Sequence, residues 1–242
     1  MTNTILSALL ALTLATDTPS ASVDAASVTR EQAVAGVQSF YEKVSDFSAD
    51  FKQSVKRKNM PRARKLKGRV GFKKPGMMRW DYRQPEKVLY VSDGSTLWNY
   101  QPEDGVAYKL NVKDSELYNA LKFLFGQGNL EKEFKVKLLK PRKGLVRLHL
   151  SPRVKQTNYK SIELQVDPKT FEIRTSVLTD PLGSRSTITF SNIKYAPIDA
   201  KVFTGFKPKK GVRIQDMTVP SAKPAPPAPA TSAKPPATKG AP

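Results

Sequence analysis

Cysteine is absent from the 242 residues, and histidine occurs once, at position 149. No disulfide framework, thiolate metal site or cysteine nucleophile can therefore be built. The chain also lacks the cysteine of a lipobox and is not itself a lipoprotein. His149 alternates away from the apolar residues of its segment and reads as a surface side chain, which argues against a Ser-His-Asp triad or a histidine metal site. No catalytic residue, metal ligand or cofactor site emerges from the sequence. Acidic residues are scarce, 21 against 41 Lys and Arg, for a formal net charge of +20. Such a field attracts polyanions: acidic headgroups, acidic proteins or nucleic acid.

Long hydrophobic runs are also missing. The apolar run at 5–15 is too short to span a bilayer but has the length of a signal-peptide h-region. Residues 1–25 read as a signal peptide, although its n-region has no Lys or Arg. Cleavage is expected at Val23-Asp24-Ala25 or at Ser20-Ala21-Ser22. The mature chain is then expected to be soluble and exported. Residues 219–242, dominated by Pro, Ala and Lys, read as a disordered extended tail. This leaves 26–218 as one domain.

What is present is mostly β. Residues 68–100 form a meander: Val70 and Phe72 alternate with polar neighbours, Pro75-Gly76 turns, and Met78, Trp80 and Tyr82 share one face. Asp93-Gly94 between two β-rich runs is a hairpin signal. Ahead of it, 28–44 reads as an amphipathic helix capped by Thr29, with Ala33, Val37, Phe40, Tyr41 and Val44 on one face. In the strand that follows, Phe47, Ala49, Phe51 and Val55 alternate with polar residues. Further short strands run from Phe134 to Ile193, with turns at 141–144, 167–168 and 180–183. Together they suggest a barrel-like antiparallel sheet. Residues 114–126 read as a helix from an Asp114 cap to Gly126, with Leu117, Leu121, Leu124 and Phe125 along one side and Tyr118 extending it.

The segment 56–69, KRKNMPRARKLKGR, carries no acid. The plainest reading is a solvated hairpin loop. Lys56, Arg57, Lys58, Arg62, Arg64 and Lys65 would otherwise dock an anionic surface. Without interleaved aromatics or a groove-reading helix, a membrane or protein partner ranks above nucleic acid.

The string GRVGFKKPGMMRWDYRQP at 68–85 and VSDGSTLWNY at 91–100 carry a resemblance. With DPLG at 180–183, ITFSNI at 188–193 and VFTGFKPKKGV at 202–212, they resemble the LolA family of periplasmic carriers of outer-membrane lipoproteins. The ordered set covers most of 40–217. The resemblance implies an α+β fold: an incomplete, highly curved antiparallel β-barrel, or half-barrel, with an α-helical lid over an apolar cavity. It makes 114–126 the lid and Phe47, Phe51, Val70, Phe72, Met78, Trp80 and Trp98 the cavity wall. By composition alone, such residues are more often core than cavity wall, and the two look alike in sequence. The family has an arginine just before the strand-turn proline that holds the closed lid; here the position is Lys74, with Arg79 nearby to share the role.

The implied function is a non-enzymatic periplasmic shuttle, a monomer without cofactor. Its partners would be acylated lipoproteins, an inner-membrane releasing transporter and an outer-membrane acceptor, with transient membrane contact and no nucleic acid. The alternative is a carrier or sensor of the same fold for phospholipid, glycolipid or another lipidated partner. A third class is an exported cationic binder of an anionic polymer.

Overall fold

The computed structural model describes residues 24–112, 128–157 and 159–218. The lid candidates Leu117, Tyr118, Leu121, Leu124 and Phe125, the apolar run at 5–15 and the tail from 219 onward lie outside the described residues.

Helix α1 (Arg30–Lys43) opens the fold with the expected Thr29 cap. The Thr29 hydroxyl accepts from the Gln32 amide at 3.2 Å, and the Gln32 side chain accepts from the Thr29 amide at 2.9 Å. This reciprocal pair satisfies two of the donors that a helix start leaves open. Ala33, Val34, Val37 and Tyr41 form the buried face.

Six strands follow: β1 (Asp46–Lys56), β2 (Arg64–Lys73), β3 (Met77–Gln84), β4 (Val88–Asp93), β5 (Thr96–Gln101) and β6 (Val106–Asn111). The second half contains a one-turn helix α2 (Leu130–Glu133), then β7 (Phe134–Arg142), β8 (Leu145–Pro152), β9 (Ser161–Val166), β10 (Ile173–Thr179), β11 (Arg185–Lys194) and β12 (Arg213–Asp216). These twelve strands make one open, curled sheet in the order β12-β6-β5-β4-β3-β2-β1-β11-β10-β9-β8-β7. Every pairing is antiparallel except β12 with β6. The sheet is therefore a barrel that wraps without closing, with β12 and β7 at its edges.

The concave face is filled. Phe47, Phe51, Val70, Phe72, Met78 and Trp80 are at most 6% exposed and share one core cluster with Leu148, Leu164 and α1. Helix α1 lies in the opening and is locked there. The Tyr41 hydroxyl accepts from the Ile173 amide at 3.2 Å. Gly36 receives the Phe171 ring so closely that a Cβ there would stand 2.3 Å from ring carbons.

The convex face carries a second, smaller cluster of Leu89, Val91, Tyr100 and Ala107. The segment between β11 and β12 supplies its cover, with the Phe206 ring 5.9 Å from Trp98 and 5.5 Å from Tyr100. That segment has no alternating pattern.

The expected loop at 56–69 is much shorter, because β2 already begins at Arg64. Strand pairing with β1, running from Val55 opposite Arg64 to Asp46 opposite Lys73, overrides the local preponderance of charge.

Candidate functional site

The inner wall continues past its core toward the β1–β2 hairpin. Along β1, Gln53 and Val55 follow Phe51 on the concave face; along β2, Leu66 precedes Gly68 on the same face, paired with Gln53. Tyr82 of β3 stands opposite Val88 of β4, and Tyr90 opposite Trp80. Val55, Leu66, Tyr82, Val88 and Tyr90 thus floor an open groove of about 660 Å³. That volume lies in the range of small-molecule sites, roughly 300–1,000 Å³. The floor joins the core through the Phe51–Tyr82 and Tyr82–Tyr90 ring contacts at 5.0 and 6.1 Å. Burial pushes the phenol groups of Tyr82 and Tyr90 above their usual range, so the floor is uncharged at neutral pH.

The rim is cationic. Arg57, Arg62 and Arg64 border the groove together with Met60, Pro61 and Glu86. Arg64 makes an ion pair with Glu86. Lys56 turns back on its own loop, its Nζ donating to the carbonyls of Met60 at 2.8 Å and Pro61 at 2.7 Å. Lys65 is exposed, on the face opposite the floor, because it neighbours Leu66 in the strand. The six cations grouped as one docking patch therefore divide. Arg57, Lys58 and Arg62 are exposed on the hairpin, while Lys56, Arg64 and Lys65 are engaged elsewhere or directed elsewhere.

The other expected site residues fall in distinct places. Phe47, Phe51, Val70, Phe72, Met78 and Trp80 do line the concave side, but as packed core beneath α1 rather than as walls of an open space. The Trp80 indole Nε1–H is buried and has no hydrogen-bond partner. Trp98 is the exception. Val91 stands opposite Trp98 and Tyr90 opposite Asn99, which places Trp98 on the convex face and Leu97 on the inner one.

Lys74 does reach helix carbonyls, those of α1. Its Nζ donates to Tyr41 O at 2.7 Å and Glu42 O at 2.9 Å. Desolvation by burial lowers the Lys74 pKa from its usual value, with Glu42 acting against that shift. The ammonium complements the negative end of the helix. Arg79 is on the other face, donating to Val202 O at 3.3 Å, and ties down the C-terminal segment instead.

A measurable consequence is that Lys74→Met should lower stability by about 1.5–3 kcal/mol, the worth of a charge-assisted hydrogen bond to carbonyls that would lose their donor. Urea denaturation of the purified protein reads this directly. An unchanged midpoint would mean that Lys74 does not hold α1.

Among the described residues, no cluster of three or more His, Asp or Glu is placed to hold a metal, and no helix is long and apolar enough to cross a membrane.

Residues 42–205 match the family described as outer membrane lipoprotein carrier protein LolA. The chain is 28% identical over 186 residues to an outer-membrane lipoprotein carrier protein of Nitrosomonas europaea, covering 76% of this chain and 89% of that protein. It is 30% identical over 183 residues to the protein of the same name from Yersinia pestis bv. Antiqua, covering 74% of this chain and 86% of that one. A solved structure of a LolA superfamily protein from Nitrosomonas europaea aligns at 13% identity with a TM-score of 0.43, over 74% of this chain and 98% of that one.

Proposed function

Since the chain belongs to the LolA family, we propose that it is a periplasmic carrier that shields the acyl chains of lipoproteins and moves them from the inner to the outer membrane. It acts by binding and release, without a covalent step or a cofactor. The observation that supports this reading is the apolar groove that extends the concave face at Val55, Leu66, Tyr82, Val88 and Tyr90. Each methylene taken from water onto such a floor contributes about 0.8 kcal/mol. An ester carbonyl brought in with the chain would supply the acceptor that the Trp80 indole N–H lacks, removing a penalty of roughly 1–3 kcal/mol. The core side chains from Phe47 to Trp80 form the deeper wall, and displacement of α1, held by Lys74, would widen the space. Cargo arrives from a releasing transporter in the inner membrane and leaves to an acceptor at the outer membrane, with the monomer touching membrane surfaces only in passing.

The test is capture from the periplasm. Protein purified from that compartment without detergent should carry triacylated lipoproteins by mass spectrometry. Purification with no acylated protein bound would reject the carrier reading.

Export carries a second expectation. Ala25 is only 4% exposed and belongs to the core cluster, and Asp24 caps the turn before α1 by accepting from the Ala26 amide at 3.0 Å. Cleavage after Ala25 would remove both. The mature N-terminus should therefore follow the earlier site, Ser20-Ala21-Ser22. Intact-mass measurement of the periplasmic protein gives the position directly. A chain retaining Met1 would refute export.

A further inference from the structure

We propose that the groove takes a phosphate-bearing lipid, with its acyl chain on the apolar floor and its phosphate on Arg57 and Arg62; this rests on the acyl-binding reading above. The rim is what points there. Of its three arginines, Arg64 is already neutralised by Glu86. Arg57 and Arg62 have no acidic partner among the described residues, yet both border the same space as Val55, Leu66 and Val88. A groove for neutral chains alone has no use for two unpaired guanidinium groups at its mouth. They add like-charge repulsion, and a neutral chain on the floor leaves their charged ends without a partner.

Their placement is also prepared. Lys56 Nζ binds the carbonyls of both Met60 and Pro61, which draws the hairpin turn back on itself between the two arginines. The guanidinium fork matches phosphate oxygens two at a time, and holding the loop beforehand reduces the ordering that binding requires. The floor accounts for the other half of the ligand. An acidic protein docking on the hairpin would use the arginines but make no use of the apolar floor they border. A phosphate-bearing amphiphile uses both.

The experiment compares two probes that share one fluorescent dodecanoyl chain, a lysophosphatidylglycerol and a monoacylglycerol, each below its micellar concentration. The parent protein should bind the phosphate-bearing probe on the order of tenfold more tightly, the effect of about one charge-assisted contact. Raising the salt should shrink that ratio, since screening acts on the phosphate contact and not on the chain. In Arg57→Gln/Arg62→Gln the ratio should fall to about one. Both positions are exposed and have no acidic partner among the described residues, so the fold should persist, as circular dichroism would check.

A ratio near one in the parent, or a ratio unchanged in the double variant, overturns the proposal while leaving the acyl carrier standing. Displacement of the phosphate probe by an equal concentration of inorganic phosphate would mark a free-anion site and also overturn it. Failure of both probes to bind would overturn this proposal and the carrier reading together. An acidic protein bound through the hairpin, with neither lipid probe competing, would reassign the arginines to protein docking and overturn the lipid site.

Discussion

Val88→Asp should reduce acyl-chain affinity by about 100-fold while the sheet stays folded. Val88 opens β4 at the groove, half-buried and opposite Tyr82. An aspartate there meets water in the empty protein, so folding tolerates it. Once a chain covers the floor, the carboxylate must be desolvated beside methylene groups with no cation on the floor to pair with it. Desolvating a polar group without a partner costs roughly 2–7 kcal/mol, and about 2.7 kcal/mol already corresponds to 100-fold.

The chain supplies its own reporter. It has two tryptophans, and Trp98→Phe removes the one on the convex face. This leaves Trp80 among Phe51, Phe72 and Tyr82 on the concave side. Titrating a fatty-acyl ligand into that background should shift Trp80 emission, and adding Val88→Asp should abolish the shift at the same ligand concentration. Leu182→Asp is the control, because Leu182 is 78% exposed in the turn before β11 and is not part of the groove. If Val88→Asp and Leu182→Asp bound alike, the acyl site would lie elsewhere on the molecule.

Much of the sheet was legible because a strand half-buried on a core alternates with period two. Phe47, Ala49 and Phe51 declare β1, and Met78, Trp80 and Tyr82 declare β3. Thr29 declared the start of α1 as its cap, while the reciprocal bond to Gln32 came only with the structure. The face of Trp98 was a different problem. Alternation gives the two faces of one strand, but which face continues across a hairpin depends on the register. Here Ser92 stands opposite Leu97, which passes the inner face to Leu97 and Asn99, and the larger aromatic misled. Nothing local to β5 could have shown that Phe206, more than a hundred residues later, would cover Trp98. The groove floor was readable in part. Arg64, Leu66, Gly68, Val70 and Phe72 are one continuous alternation, hidden because Leu66 is flanked by lysines that face outward. The cation count made a strand look like a loop, although charged residues are what an exposed strand face carries. The position of Lys74 was legible in type but not in partner, since a lysine reaching for a helix end does not say which helix.

The same run contains the residue on which the largest stability loss should fall. Gly68 lies in β2 between Phe51 and Tyr82, its partners in β1 and β3. The pairing with β3 slips between Lys67 and Gly68, so the neighbouring strand crowds in here. A Cβ at Gly68 would stand 2.0 Å from the carbonyl oxygen of Asp81 and 2.9 Å from the Phe51 ring. The oxygen belongs to the backbone of a paired strand and cannot move without opening the ladder. Glycine inside a strand marks this kind of close backbone approach, and here it lets β3 bend over β2 to close the floor of the groove. Gly68→Ala should therefore cost about 3 kcal/mol, at the upper end for overpacking. Gly68→Val should leave little folded protein at ambient temperature. Gly105 gives the comparison: nothing lies within 4 Å of a Cβ there, but its φ of +61 is left-handed, so Gly105→Ala should cost only about 1–2 kcal/mol. Urea titration of both alanine variants at equal m-value separates the two causes. A Gly68→Ala loss no larger than that of Gly105→Ala would show that β2 and β3 can separate freely at this point, and that the curvature of the wall does not depend on the missing side chain.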